Sequence, residues 1–345
     1  MKPRQVQFFL TGCDDYTFFP MIIVTGGAGF IGSAFVHKLN QEGYRDIIIV
    51  DHISESAKWK NLVPLKYREF YHKDMFLDIL MAEELPAEID AIVHMGACSS
   101  TTEKDGDYLF ENNYRYTQIL AEFALENDIR FVYASSAATY GDGKRGFSDD
   151  HSKIDSLRPI NMYGYSKQYF DQWALQREIL NRIAGIKFFN VYGPNEYYKN
   201  DMSSVIYKSV PVIRAEKKIK LFKSYHPDYG DGEQKRDFVY VKDCVDVMYW
   251  LMQHPEANGI FNLGTGQARS WNDLATAVFE ALEIPLNIEY IDMPEVLKGA
   301  YQYFTQADMT KLRAAGYNKV FTSLHDGAID YVRNYLNPSE VNLGF

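Results

Sequence analysis

Residues 21–32 read Met21-Ile22-Ile23-Val24-Thr25-Gly26-Gly27-Ala28-Gly29-Phe30-Ile31-Gly32, and this stretch decides the fold. Its first half is a β-branched run of the kind that fills a strand buried on both faces. Its second half spaces Gly26, Gly29 and Gly32 as G-x-x-G-x-x-G, and residues 31–41 then carry apolar side chains at helical intervals. Glycine lets the backbone turn tightly and approach a diphosphate, whose charge is met by the free N–H groups and positive dipole end of the helix. Three glycines alone are a weak signal. The strand before and the helix after strengthen it, as does Asp51, which closes the next β-branched run about 20 residues on, where a carboxylate can bind an adenosine ribose. The competing reading is a tight turn that binds nothing.

Outward from this unit, strand-like runs at 47–50, 91–94 and 130–133 alternate with helix-length segments at 108–126 and 162–181. That βαβ alternation predicts an α/β fold, a doubly wound parallel sheet of the Rossmann type. The second half mixes shorter strands (187–189, 238–241, 259–263 and 287–290) with short helices and longer loops, and predicts a smaller α/β lobe that supplies substrate contacts. The expected division is a dinucleotide-binding domain of 21–188 plus about 238–266, and a substrate lobe of about 189–237 and 267–345. Residues 1–20 read as an extension outside the fold, ahead of a second Met at 21. Residues 225–234, with Pro227, Gly230 and Gly232 among charged side chains, read as an exposed loop.

Composition removes several function classes. The 345 residues are 46% hydrophobic and 24% charged, which is ordinary for a globular chain. A net charge of −10 opposes the counterion release that drives nucleic-acid binding, so no nucleic-acid partner is expected. Cys13, Cys98 and Cys244 are odd in number and far apart, fitting neither a disulfide framework nor a metal site, and a reducing cytoplasm is the expected location. No apolar run approaches the roughly 18 residues of a transmembrane helix, and no export signal is read near the first residues.

Chemistry enters at Tyr163-Gly164-Tyr165-Ser166-Lys167, where a phenol and an ammonium four residues apart share one face of a helix. For Tyr163 to work near neutral pH the site must favour its phenolate by about 3 pKa units, and Lys167 with an oxidised nicotinamide ring is the expected source of positive charge. The same spacing recurs at Tyr140 and Lys144. There, Gly141 and Gly143 around Asp142 make a turn on which the side chains need not converge. Ser135 and Ser136 follow the run 130–133, at the carboxyl end of a strand where ligands bind in open α/β sheets.

The glycine triplet, the serine after the fifth strand and Tyr163-x-x-x-Lys167 together resemble the extended short-chain dehydrogenase/reductase family. Six further segments resemble its nucleotide-sugar epimerases that act on an ADP-linked heptose: residues 21–33; Gly96-Ala97-Cys98-Ser99-Ser100-Thr101-Thr102-Glu103; 135–141; 189–194; Lys235-Arg236-Asp237-Phe238-Val239-Tyr240-Val241; and Phe304-Thr305-Gln306-Ala307-Asp308. The resemblance implies an isomerase that inverts C6″ through transient oxidation, feeding the lipopolysaccharide inner core, in a homo-oligomer, commonly a pentamer. It implies Tyr163 and Lys199 as the acid/base pair, Lys167 on the nicotinamide ribose and Ser136 on the reacting oxygen. Around the cofactor it places Phe30, Ile31, Asp51, His52, Lys58 and Lys73, then Met95, Gly96, Ala97, Cys98 and Ser99, then Asn112, Val191 and Lys199. Facing the substrate it places Asn190, Asp201, Lys208, Phe222, Lys223, Ser224, Tyr225, Arg236 and Tyr301. No metal is expected.

His52, Asn195, Asp201 and Lys208 depart from the residues usual at their positions. The cofactor implied is NADP, whereas Asp51 read alone would favour NAD. A dehydratase on the same scaffold would need an Asp-Glu pair after Ser136, where this chain has Ala137 and Ala138. A hexose 4-epimerase would use the same wall of residues, and a cofactor-sensing regulator would need the glycine cradle without the Tyr163, Lys167 and Ser136 set.

Overall fold

The structure, a computed structural model, describes residues 20–82, 84–85, 89–298, 301–337 and 339–345. The expected extension at 1–20 therefore lies, but for Pro20, outside the described residues. Six strands, β1 (Met21–Thr25), β2 (Ile47–Asp51), β3 (Glu69–His72), β4 (Ile89–His94), β5 (Arg130–Ser136) and β6 (Ala184–Phe188), join the strand Gly259–Leu263 in one sheet. Its order is β3-β2-β1-β4-β5-β6 and then Gly259–Leu263, every pair parallel. The order reverses between β1 and β4, so a crevice opens at their carboxyl ends.

Strand side chains alternate between two apolar layers, as the two-residue period requires. Ile22, Val24, Ile47 and Ile49 pack with Phe35, Val36 and Leu39 of α1 (Phe30–Gln41) and with Met248 and Leu251 of the helix Val241–Gln253. Met21, Ile23, Ile48 and Val50 face Phe76 and Leu80 of α2 (Lys73–Met81), Leu120 and Ala121 of Tyr116–Glu126, and Phe170 and Ala174 of Met162–Gln176. The sheet is thus covered on both faces, which is why its strands read as continuous apolar runs.

Three expectations shift. The helix read over 108–126 is three pieces: Gly106–Leu109, a π-helical turn Phe110–Arg115, and Tyr116–Glu126. The helix read to 181 stops at Gln176, because Glu178 takes a positive φ of 57° and the Ile179 N–H closes back onto the Ala174 carbonyl. The run 187–189 straddles two elements: after Phe188 the chain leaves the sheet, and Asn190–Tyr192 pairs in parallel with Phe238–Tyr240. Ile219–Phe222 pairs with Ile288–Ile291, and the helices Trp271–Leu282, Val205–Glu216 and Leu324–Tyr335 pack alongside. Among the described residues no helix is long and apolar enough to cross a membrane.

Candidate active site

The glycine turn is closed by hydrogen bonds from Gly26 N–H to the Val50 carbonyl (2.7 Å) and from Gly29 N–H to the Gly26 carbonyl (2.9 Å). Gly26 holds a φ of 67°, and a Cβ there would stand 2.7 Å from the Gly96 nitrogen, so two strand ends meet only because no side chain intervenes. A Cβ on Gly32 would lie 2.1 Å from the Gly26 carbonyl oxygen. The cradle opens into a cavity of about 520 Å³ over the carboxyl ends of β1, β4 and β5.

At one end of that cavity, Asp51 is buried and accepts three hydrogen bonds: from Ala28 N–H (2.9 Å), His52 N–H (2.8 Å) and the Lys58 ammonium (2.7 Å). Burial, then the Lys58 charge, holds the His52 imidazole below its ordinary pKa, so it is neutral at pH 7. Lys73 pairs at 3.2 Å with a largely exposed Asp74. Met95, Gly96, Ala97, Ser99, Asn112 and Val191 also reach the wall. Cys98 does not line it; its N–H and carbonyl are both bonded to the Asn113 side chain, at 2.8 and 3.0 Å.

At the other end, Asn161 caps the helix Met162–Gln176 by accepting the Gly164 N–H at 2.7 Å, which fixes the turn that carries Tyr163. The Tyr163 phenol is hydrogen-bonded to Ser136, whose Oγ also accepts the Ala138 N–H at 3.1 Å. Lys167, one turn on, is buried and donates to the Ala134 carbonyl at 2.8 Å. Burial pulls its pKa down to about 8, against the opposing pull of Asp171. The expectation that the protein's own lysine lowers the Tyr163 phenol is not met: burial raises that pKa, and only the Ser136 hydrogen bond offsets it. The physical reason is that a desolvated phenolate costs more here than one neutral hydroxyl returns.

Beneath this floor Asp171 accepts from Tyr133 (3.0 Å), Ser135 (2.7 Å) and Lys187 (2.6 Å), all buried. The Ser135 hydroxyl is thus spent on the core, which leaves that of Ser136 for the cavity that both residues line. The second pair separates as its glycines predict: Tyr140 is buried on Asn262 at 2.6 Å, while Lys144 pairs with Asp142 in solvent.

Lys199 approaches from another element, the turn Tyr197–Met202, with its ammonium 5.4 Å from the Phe30 ring centroid. Burial lowers its pKa, and Glu196 opposes that. Among the residues expected at the substrate, Asn190 lines the cavity and the others do not. Asp201 and Lys208 are exposed, the ammonium donating to the Asp201 carbonyl at 3.1 Å. Lys223 and Tyr225 are both tied to Asp292, and the Ser224 N–H to Asp231. Arg236 lies between aromatic rings, 5.3 Å from the Tyr301 centroid and 5.9 Å from that of Trp271, and among the described residues it has no carboxylate partner. Phe222 packs edge-on against Tyr301. These three form a patch outside the cavity.

Asn195 explains itself by geometry: it holds a φ of 78°, which asparagine tolerates, and its side chain joins Ser33 of α1 to Leu343 near the C-terminus. Sequence reasoning missed Tyr198, Met202, Gln302 and Thr305, all on the wall. Of these, Thr305 alone belongs to a segment that resembles the heptose epimerases, Phe304-Thr305-Gln306-Ala307-Asp308.

A family model described as the NAD dependent epimerase/dehydratase family matches residues 22–264. A protein of Nitratidesulfovibrio vulgaris (strain Hildenborough) named ADP-L-glycero-D-manno-heptose-6-epimerase is 58% identical over 323 residues, 94% of this chain and 100% of its own. The crystal structure of the Helicobacter pylori protein of the same name superposes with a TM-score of 0.77 at 30% identity, covering 93% of this chain and 98% of that one. MoeE5 in complex with UDP-glucose and NAD superposes with a TM-score of 0.70 at 25% identity, over 91% of this chain and 99% of that one.

Proposed function

The chain belongs to the NAD dependent epimerase/dehydratase family, and on that premise we propose that it interconverts ADP-D-glycero-D-manno-heptose and its L-glycero epimer at C6″, for the lipopolysaccharide inner core. One observation carries the chemistry: a glycine cradle, the Tyr163–Ser136–Lys167 wall and Lys199 from a separate element open into one cavity. The cradle fits a dinucleotide, since its backbone approaches would be filled by any Cβ at Gly26 or Gly32. A nicotinamide held there supplies a hydride acceptor and then a donor, so that a secondary alcohol passes through a ketone with no net redox change.

Tyr163 takes the proton of the C6″ hydroxyl, and Ser136, which lines the cavity beside it, turns its own hydroxyl to donate to that oxygen. Lys167 holds the nicotinamide ribose, and the positive charge of the oxidised ring, when bound, would favour the Tyr163 phenolate. Inversion needs proton transfer on a second face, and Lys199, whose pKa burial has lowered, serves it. Arg236 and the Tyr301 ring take the substrate's nucleotide end, where an unpaired guanidinium suits a diphosphate. The cofactor is NADP in preference to NAD: Lys58 already neutralises Asp51, which removes the carboxylate repulsion against a 2′-phosphate, and Lys73, which lines the same end of the cavity, turns to the phosphate from its largely exposed partner Asp74. The division into a dinucleotide-binding domain and a substrate lobe, a cytoplasmic location and a homo-oligomer, commonly a pentamer, complete the reading.

A dehydratase is disfavoured because Ala137 and Ala138 line the cavity where an acid pair would be needed. Proton NMR of ADP-D-glycero-D-manno-heptose incubated with the purified protein and no added cofactor tests the proposal. Appearance of the L-glycero signals is expected; an unchanged sugar in the presence of added NADP and NAD would overturn it.

A further inference from the structure

The residue before Lys199 has an unexpected place. Tyr198 lies 168 positions from Phe30 in the chain, yet its hydroxyl accepts the Phe30 N–H at 2.9 Å. Phe30 is the first residue of α1, and its N–H is one of the four at a helix start that have no partner within the helix. Gly29, the cap residue, offers no side-chain hydrogen bond. A Cβ on Gly29 would stand 3.3 Å from the Tyr198 oxygen, so the hydroxyl rests directly on the glycine turn. Among the described residues nothing accepts the Tyr198 hydroxyl proton, and the half-buried residue lines the cavity.

The segment that carries Tyr198 is anchored behind. The buried Glu196 carboxylate accepts the Gly193 N–H (3.2 Å), the Ser204 N–H (2.5 Å) and the Ser204 hydroxyl (2.7 Å), and the Tyr197 hydroxyl donates to the Val341 carbonyl at 2.6 Å. With both flanks fixed, the hydroxyl is held where it is by the protein rather than by chance of rotamer.

Resting on the dinucleotide reading above, we infer that Tyr198 is a positioning residue for the cofactor diphosphate: its oxygen takes the Phe30 N–H and its proton goes to a diphosphate oxygen. A hydroxyl so polarised donates more strongly than one alone. It also adds a donor from outside the sheet to those of the glycine turn. Because Lys199 is the next residue, seating the diphosphate on Tyr198 also fixes the segment that presents the second base.

Tyr198→Phe tests this, since it removes one oxygen and keeps the ring. Titration calorimetry on NADP and NAD should show both binding about 10-fold more weakly, as for a lost hydrogen bond to a charged group. The matching fragments without a diphosphate, adenosine 2′-monophosphate and adenosine, should bind as they do to the unaltered protein. Equal weakening of the fragments would make Tyr198 a support of the loop only. Tighter dinucleotide binding would show that the hydroxyl competes for the diphosphate position, and unchanged binding would remove its role. Failure of the unaltered protein to bind either dinucleotide would instead strike the cofactor reading itself.

Discussion

Gly32→Ala is the smallest change that tests the cradle. An ideal Cβ at this position would stand 2.1 Å from the Gly26 carbonyl oxygen, 2.7 Å from its carbon and 3.0 Å from the Gly27 Cα. All three are backbone atoms, and ordinary contact begins at 3.4 Å. The carbonyl must therefore retreat by more than about 1 Å, a displacement a packed interior resists at a cost of about 1–3 kcal/mol. That carbonyl accepts the Gly29 N–H at 2.9 Å, so the turn itself opens with it. Loss of a hydrogen bond from the turn to a charged diphosphate costs about 1.5–3 kcal/mol, which is roughly 10- to 100-fold in affinity. Titration calorimetry should accordingly show NADP binding weakened by roughly 10- to 100-fold, while circular dichroism shows a folded protein with a melting point lower by a few degrees. Gly230→Ala is the control, since its Cβ would meet only the Glu233 Cγ at 3.5 Å, an ordinary contact. Binding within about threefold of the parent by a Gly32→Ala protein whose melting point has fallen would refute the reasoning, because the turn would have moved without disturbing the ligand.

Tyr163→Phe should lower turnover by roughly 100-fold or more with cofactor binding retained, since it removes the proposed proton-transfer group; near-parental rates would exclude it. Lys199→Met should reduce turnover at saturating nucleotide-heptose, and a change in KM alone would make Lys199 a substrate-positioning group. Lys58→Ala with Lys73→Ala should weaken NADP by a few kcal/mol and leave NAD almost unaffected; equal losses would mean that neither lysine reads the 2′-phosphate. Asp171 raises the Lys167 pKa, which stands at about 8. Removing the buried pair as a unit, Asp171→Asn with Lys187→Met, should lower that pKa and move the alkaline limb of kcat/KM to lower pH, as loss of the ammonium then comes earlier. An unmoved limb would separate Asp171 from Lys167.

Much of this was legible because of burial. Strands covered on both faces are apolar along most of their length, so Met21–Thr25 and Ile47–Asp51 announce themselves by the runs 21–24 and 47–50, with a polar residue only where each reaches the cavity. The edge strand Glu69–His72 is exposed at its ends and only half-buried between, and no apolar run marks it. The π-helical turn Phe110–Arg115 keeps a helical apolar spacing while inserting a residue, so periodicity passes over it. Tyr163 and Lys167 are neighbours on one helix and could be found by spacing. Tyr198 meets its partner across 168 positions, and nothing local in Tyr197-Tyr198-Lys199 marks it.

Two of the segments that resemble the heptose epimerases do structural service. Asp237, inside Lys235-Arg236-Asp237-Phe238, is fully buried and takes hydrogen bonds from the Thr265 N–H and hydroxyl (both 2.7 Å), the Gly266 N–H (2.9 Å) and the Ala307 N–H (3.0 Å). Its own N–H goes to Thr305 at 3.2 Å, and the Thr305 N–H to the Lys235 carbonyl at 3.2 Å. The two motif segments therefore fold against each other around one carboxylate, and replacing any member would leave buried donors unpaired, at about 1–3 kcal/mol each. The network holds Thr305 on the cavity wall and fixes the strand end that carries Arg236. The Tyr163–Lys167 spacing, by contrast, is common in a chain rich in Tyr and Lys, and it recurs at Tyr140 and Lys144 on a turn where the two side chains part.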